Sequence, residues 1–454
     1  MRSVQSRSPQ QPDDVVVTVP AAGMGGVVAA VERARLAQRE WGGCRAGERA
    51  AALTEAAGRV HAARDELIAL AVREVGKPIT EATAEVDRTV AILRYYAQQV
   101  FDPAGAVHEP TGTGLLYTRR RPLGVAGLIT PWNFPFAIPL WKAAPALAAG
   151  NAVVLKPAPQ ATACAMRLFE LLAGPLPDGL VEVVPGHASE GQVLTSTTDV
   201  VSFTGSVQAG TVVAARAVTT GVPVQAEMGG HNPAIVLPDA DLDRAARHIV
   251  AAAYGYAGQK CTATRRIIGV GAASEPLREA LLMAIDELPC GDPGDPKTMC
   301  GPVIDDAARG RMLAAAREAR QSGGTVLAGG TASDNLVAPI LVGGLSEGHA
   351  LARHETFGPF CLLQSAADVP TAVAMANSGA YGLVSAVYTT DLGHALRFVE
   401  ELGTGLVKVN APSTGVDFHL PFGGVKASSY GPPEQGKAAM DFYTTVRTVT
   451  VQPG

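Results

Sequence analysis

Cys261 stands in Gly258-Gln259-Lys260-Cys261-Thr262-Ala263-Thr264, a short polar stretch between two apolar runs. A thiol attacks a carbonyl carbon only as its thiolate, which forms where a helix N-terminus, a cation or a nearby base lowers the cost of the charge. Lys260 is adjacent, although neighbours in sequence need not point the same way. The other five cysteines, Cys44, Cys164, Cys290, Cys300 and Cys361, form no CxxC pair and no Cys/His cluster, so no metal site is expected. A lone cysteine also reads as a small buried hydrophobe. Its company decides between the two.

Four other stretches carry polar groups where a strand should end. Pro131-Trp132-Asn133-Phe134-Pro135 follows an apolar run, and its two prolines fix an irregular turn. The turn presents Asn133, whose amide N–H can hold a developing oxyanion or cap the next turn. Glu227-Met228-Gly229-Gly230 places a carboxylate that can serve as a general base or stand as a solvated acid. Phe203-Thr204-Gly205-Ser206, with Gly210 further on, is not a GxGxxG fingerprint. Ser206 at a helix N-terminus nevertheless suits a pyrophosphate as well as a plain N-cap. Lys156-Pro157-Ala158-Pro159 puts a lysine at a strand's carboxyl end, able to meet ribose or phosphate, or simply water.

The elements that must position these groups alternate. Val125 to Thr130, Ala152 to Leu155, Val181 to Val184, Val200 to Phe203 and Ala234 to Leu237 read as short buried strands, with alanine-rich helical sequence between them. Such βαβα order predicts an α/β fold whose parallel sheet is covered on both faces. Ligands on that architecture sit at the carboxyl ends of the strands. A second α/β unit begins near Cys261, with strands at Arg266 to Val270 and Gly405 to Asn410. Helices there are expected over Glu275 to Leu288, Arg309 to Ser322 and Val369 to Asn377.

Upstream, Leu53, Ala56, Ala57 and Val60, then Val86, Val90, Leu93, Ala97 and Val100, recur at helical spacing and predict scaffold helices with one buried face. Asp14 to Val19 reads as a strand, followed by a helix to Trp41. Met1 to Pro12 reads as a frayed polar tail without the apolar core of a signal peptide. Thr111 to Arg121 and Tyr443 to Val451 have strand composition and are expected to pair.

The chain's 454 residues predict more than one domain, and 47% hydrophobic against 17% charged residues fits a packed enzyme. A net charge of -5 offers no basic field for nucleic acid or membrane. No apolar run reaches the length of a membrane span. Few, dispersed cysteines favour free thiols in a reducing cytoplasm.

Taken in order, PWNFP, LKPA, FTGS, EMGG, GQKC, ETFGPF at Glu355 to Phe360 and PFGG at Pro421 to Gly424 resemble the aldehyde dehydrogenase superfamily, from about Asp14 to Val451. Seven motifs in one order are specific where any one alone is weak. The resemblance implies a Rossmann-type cofactor domain (1–107 and 125–227), an α/β catalytic domain (228–426), and an oligomerisation arm with the C-terminal tail (108–124 and 427–454). It implies that Cys261 is the nucleophile, that Asn133 and the Cys261 N–H form the oxyanion hole, and that Glu227 activates the hydrolytic water. Trp132, Lys156, Pro159, Gly205, Ser206, Glu355 and Phe357 would meet the cofactor, with Glu355 gripping the nicotinamide ribose. Lys142 and Glu434 match a polar pair behind the site, a candidate proton relay. A homodimer or homotetramer acting on a small aldehyde is the expected assembly.

Two departures from the family pattern stand out. Pro159 replaces the glutamate by which NAD-preferring relatives hold the adenosine ribose diol, so NADP is expected to be accepted, and preferred over NAD. His231 replaces a common lysine and receives no role. Gly415 to His419, Ser428 to Gly431, Glu434 to Gly436 and the Thr262-Ala263-Thr264 that follows the nucleophile resemble the subgroup oxidising 2-oxoglutarate semialdehyde, with Arg265 and His419 as candidate partners for the substrate carboxylate. The competing readings are a general semialdehyde or aliphatic aldehyde dehydrogenase, a CoA-acylating enzyme, and a non-catalytic binding relative. Retention of Cys261, Glu227 and Asn133 argues against the last two.

Overall fold

The computed structural model describes residues 2–102 and 104–453; Met1, Pro103 and Gly454, which fall in the expected tail and domain ranges, lie outside the described residues. Two sheets carry the molecule, and the chain passes between them beside the candidate site. The first has six strands in the order Ser429–Tyr430, Val224–Glu227, Val200–Thr204, Val125–Ile129, Ala152–Lys156 and Val181–Val183. Its last five strands are parallel, and Ser429–Tyr430 adds an antiparallel edge against Val224–Glu227. Continuous apolar runs such as Val125–Ile129 suit this sheet because helices bury both of its faces. Its carboxyl edge brings together the chain after Ile129 and the ends of three strands at Lys156, Thr204 and Glu227.

The second sheet runs Thr325–Ala328, Ile340–Gly343, Phe360–Ala366, Thr264–Val270, Asn232–Val236, Val384–Tyr388 and Leu406–Val409, parallel except at its first edge. The run at Ala234 to Leu237, read with the first group of strands, belongs here instead. A short apolar strand carries no mark of which sheet it joins. The crossing is made between Glu227, which ends a strand of the first sheet, and Asn232, which begins a strand of the second.

Helices Gly23–Trp41, Ala46–Ala62, Arg64–Val75 and Ile79–Gln99 form the scaffold, and the periodic positions from Leu53 to Val100 are buried. Leu115–Pro122 pairs antiparallel with Thr444–Val451 along its whole length, as composition suggested, and Val107–His108 adds a third strand.

The frayed tail is a correction. Ser3–Arg7, inside the stretch read as tail, is a strand paired with Val15–Pro20. Its alternation is too polar to announce burial, yet Val4 is fully buried and Ser6 Oγ donates to Glu74 Oε1 at 2.5 Å. That carboxylate also accepts the backbone N–H groups of Ala163 and Cys164 at 2.8 and 2.7 Å. It thereby ties the N-terminal strand to the start of helix Thr162–Ala173. Among the described residues no helix is long and apolar enough to cross a membrane.

Candidate active site

The Cys261 loop is shaped before it is reached. After helix Leu242–Tyr254, three consecutive residues, Tyr256, Ala257 and Gly258, adopt φ of 55°, 52° and 64°. Two of them lack glycine's freedom in this region, so the turn stores strain that its surroundings must hold. Arg265, fully buried, donates to the carbonyls of Gly358, at 2.5 Å, and Gly258. The Gln259 amide donates to Tyr256 and Pro302 carbonyls at 3.3 and 3.2 Å and accepts the Ile304 N–H at 2.8 Å. From the other side, Asn232 Nδ2 donates to the carbonyls of Cys261 and Ala263, both at 2.8 Å. Lys260 does not serve its neighbour, since its Nζ goes to Glu81 at 2.5 Å.

Asn133 does not cap the helix that follows it. Its Nδ2 donates to the Gln259 carbonyl at 2.8 Å, which joins the Pro131 to Pro135 turn to the Cys261 loop, while its Oδ1 has no partner. The second amide hydrogen is free for a ligand beside the sulfur. The cap is supplied by Glu85, whose Oε1 accepts the N–H groups of Phe136 and Ala137 at 2.9 Å each. Its other oxygen pairs with buried Lys77.

Two cavities meet at Cys261. One, of about 610 Å3, is lined by Trp132, Asn133, Thr204, Gly205, Ser206, Gly229, Glu355 and Phe357. The other, of about 290 Å3, is lined by Phe134, Trp141, Val416, Phe422, Thr262 and Arg88 among others. The larger fits a polar, many-hydroxylled ligand. The Glu355 carboxylate in its wall has only a long bond from the Gly230 N–H, at 3.4 Å, and Thr204 Oγ1 is buried without a partner. A Cβ at Gly229 would overlap that carboxylate, so the glycine lets Glu355 lie where it does. Trp132 and Phe357 meet edge to face at 5.9 Å and give the cavity an aromatic wall. Ser206 is also the N-cap of helix Val207–Thr220, its Oγ accepting the Ala209 N–H at 3.3 Å.

Lys156 and Pro159 do not line this cavity. Lys156 turns its Nζ onto the Pro157 carbonyl at 3.0 Å, and burial lowers its pKa to about 8. Pro159 opens the 3-10 turn Pro159–Ala161, beside Gln160, which does line it. His231 is buried with neither ring nitrogen bonded, and burial lowers its pKa to about 3. Arg265 is spent on backbone carbonyls and His419 is exposed; neither lines the smaller cavity.

Carboxylates crowd the sulfur. Burial, then the charges of Glu355, Glu227 and Glu434, push the Cys261 thiol up to about 12. Glu355 rises to about 7, through burial, against the pull of Arg265. Glu227 lies well above the ordinary carboxylate range, through burial and then the charge of Glu434. Its Oε2 accepts from Ser429 Oγ at 2.6 Å, in the strand that flanks its own. It lines neither cavity as it stands. Buried Lys142 pairs with Glu434 and donates to Ser202 Oγ at 2.9 Å. Burial lowers the Lys142 pKa. The Glu434 backbone exchanges hydrogen bonds with Phe422, so the Pro421 to Gly424 motif and this acid are one local unit.

The residues missed in the sequence are those whose work is holding: Lys77, Glu85, Asn232, Gln259 and Ser429. Of these, Gln259 and Ser429 stood in stretches already singled out, without a role.

The model of the Aldehyde dehydrogenase family matches residues 2–449. The chain is 37% identical over 462 residues to an alpha-ketoglutaric semialdehyde dehydrogenase of Bacillus subtilis (strain 168), covering 99% of this chain and 95% of the relative. It is 38% identical over 456 residues to an alpha-ketoglutarate semialdehyde dehydrogenase of Haloferax volcanii, covering 97% and 94%. Among solved structures it superposes on an NAD-dependent aldehyde dehydrogenase from Sinorhizobium meliloti with a TM-score of 0.96, at 33% identity, over 100% of this chain and 92% of that one.

Proposed function

The chain belongs to the aldehyde dehydrogenase family and is an NAD(P)-dependent enzyme; we propose that it oxidises 2-oxoglutarate semialdehyde to the dicarboxylic acid through a thioester on Cys261. The observation that carries this reading is that one sulfur stands in the walls of two cavities, one holding the Glu355 carboxylate and one walled by Phe134, Ile138, Trp141, Val416 and Phe422. The substrate is inferred from the two semialdehyde-oxidising relatives, which span nearly the whole chain.

In this reading the larger cavity takes the dinucleotide, with Glu355 accepting from the nicotinamide ribose and Trp132, Gly205, Ser206 and Phe357 as walls. A nicotinamide bound there supplies the two-electron acceptor for the oxidation step. The Cys261 thiol gives up its proton to water, the thiolate adds to the aldehyde carbon, and the carbonyl oxygen becomes an alkoxide received by the free Asn133 amide hydrogen and the Cys261 N–H. Loss of the hydride leaves the acyl group on sulfur. Glu227 then takes a proton from a water that attacks the thioester carbonyl, the C–S bond breaks, and acid and thiolate are released. Glu227 has to swing from Ser429 towards the sulfur to do so. Lys142 and Glu434 carry the proton away from Glu227. The same reading gives the dinucleotide to residues 1–107 and 125–227, the chemistry to 228–426, and subunit contacts to 108–124 and 427–454, in a cytoplasmic homodimer or homotetramer.

Pro159 and Lys156 would flank the adenosine end of the dinucleotide. Proline has no carboxylate to hold a ribose diol or repel a 2′-phosphate, so NADP is accepted and preferred. The test is kcat/KM for 2-oxoglutarate semialdehyde, succinate semialdehyde and unsubstituted aldehydes with each nicotinamide, without CoA. A maximum with an unsubstituted aldehyde overturns the substrate, a strong preference for NAD overturns the cofactor choice, and a need for CoA overturns hydrolysis.

A further inference from the structure

Helix Ile79–Gln99 lays one face along the smaller cavity, and its charges do not balance. Glu81, Ala84, Glu85 and Arg88 fall at i, i+3, i+4 and i+7, so they share the face turned to the cavity, and all four line it. Each of the two acids is already claimed. Glu85 is held by Lys77 and by two helix N–H groups. Glu81 is held by Lys260 at 2.5 Å. Three cations therefore meet two carboxylates, and Arg88 is the one left over. Among the described residues its guanidinium has neither an ion-pair partner nor a hydrogen-bond acceptor.

Elsewhere the cavity is built for an apolar chain. Phe134, Ile138, Trp141, Val416 and Phe422 form its walls, and Cys261 is among its lining. A half-buried guanidinium with no carboxylate partner, beside an apolar channel, is open to a ligand that brings the counter-charge. Arginine presents a planar fork that a carboxylate fills with two parallel hydrogen bonds. Lys260 is less suited, because binding there would have to displace Glu81. Arg265 and His419, the cations first suggested by sequence, do not line this cavity.

We propose that Arg88 is the carboxylate anchor of the substrate channel, selecting aldehydes that carry an anionic group at the far end from the reacting carbonyl. This rests on the reading of Cys261 as nucleophile and of the substrate as an oxo acid, and narrows it to the residue that makes the choice. Arg88 is a specificity determinant that touches substrate and takes no part in bond making.

The test uses the full-length enzyme, its preferred nicotinamide, and two substrates of equal chain length, 5-oxopentanoate and pentanal. Wild type is expected to favour the oxo acid. In Arg88→Met the ratio of the two kcat/KM values should fall about 10- to 100-fold, the range for a lost charge-assisted hydrogen bond. The fall should lie mostly in KM for the oxo acid. Because pentanal is measured on the same preparation, a partly misfolded variant lowers both values and leaves the ratio intact. Arg88→Lys keeps the charge without the fork and should fall between. Added salt should lower the wild-type ratio and leave that of Arg88→Met nearly unchanged. A wild type that does not favour the oxo acid overturns the substrate reading itself. A wild type that favours it, with the ratio retained in Arg88→Met, overturns the role of Arg88 alone.

Discussion

The ammonium of Lys77 donates to the backbone carbonyl of Asn133 at 2.9 Å, and Glu85 is its ion-pair partner. Phe134, the next residue, lays its ring 3.7 Å from the same nitrogen. One buried pair therefore fixes both the carbonyl of the proposed oxyanion residue and, through Glu85, the first N–H groups of the helix behind it. Lys77→Met leaves Glu85 charged and buried without its cation. Loss of one partner of such a pair costs about 3–5 kcal/mol, so the midpoint of denaturant unfolding should drop sharply. What remains folded should show a lower kcat with little change in KM for the nicotinamide. An unfolding midpoint equal to wild type would contradict this account.

Cofactor choice is tested at Pro159. Pro159→Glu restores a carboxylate that can accept from an adenosine ribose diol and repel a 2′-phosphate. The NADP/NAD ratio of kcat/KM should fall by about tenfold or more, the scale of one charge-assisted hydrogen bond gained on one side and a repulsion added on the other. An unchanged ratio would show that adenosine recognition lies elsewhere, for instance at Gln160 in the cavity wall.

Much of this site was legible because strand ends and turns have local chemistry. Pro131 to Pro135 fixes a turn whatever surrounds it, and the scaffold helices announce themselves in the spacing of Leu53 to Val60. Long-range burial has no such mark. Ser3–Arg7 looks like a polar tail until Glu74 receives Ser6, and Arg265 looks like a free cation until Gly258 and Gly358 surround it. The apolar strand Asn232–Val236 could have joined either sheet. Arg88 belongs to the same class, since nothing in its neighbours in sequence says that Glu81 and Glu85 are already taken.

Resting Cys261 should be a neutral thiol. Burial and three nearby carboxylates hold its pKa up to about 12, so the thiolate fraction near neutrality is small and grows about tenfold per pH unit. Without nicotinamide, inactivation by iodoacetamide should therefore accelerate continuously from pH 7 to pH 9. Peptide mapping should separate the modification of Cys261, which tracks the loss of activity, from that of the exposed Cys290. A rate that levels off near neutral pH would mean that the thiol is already activated in the free enzyme.

Glu227 is raised by the same kinds of cause, and Ser429 is the lever against them. Burial and Glu434 raise its pKa, while the Ser429 hydroxyl, as a donor, favours the ionised form and pulls it down. Glu227→Gln should give one equivalent of reduced nicotinamide per site and then stall, because the acyl group reaches Cys261 and no base activates water. Ser429→Ala removes the stabilising donor, so the Glu227 pKa should rise further and its basic form should appear only at higher pH. Where hydrolysis limits turnover, the acidic limb of the kcat profile should move to higher pH than in wild type. A limb that stays in place would mean that Ser429 only parks the side chain, and a downward shift would reverse the sign of the electrostatics around this acid.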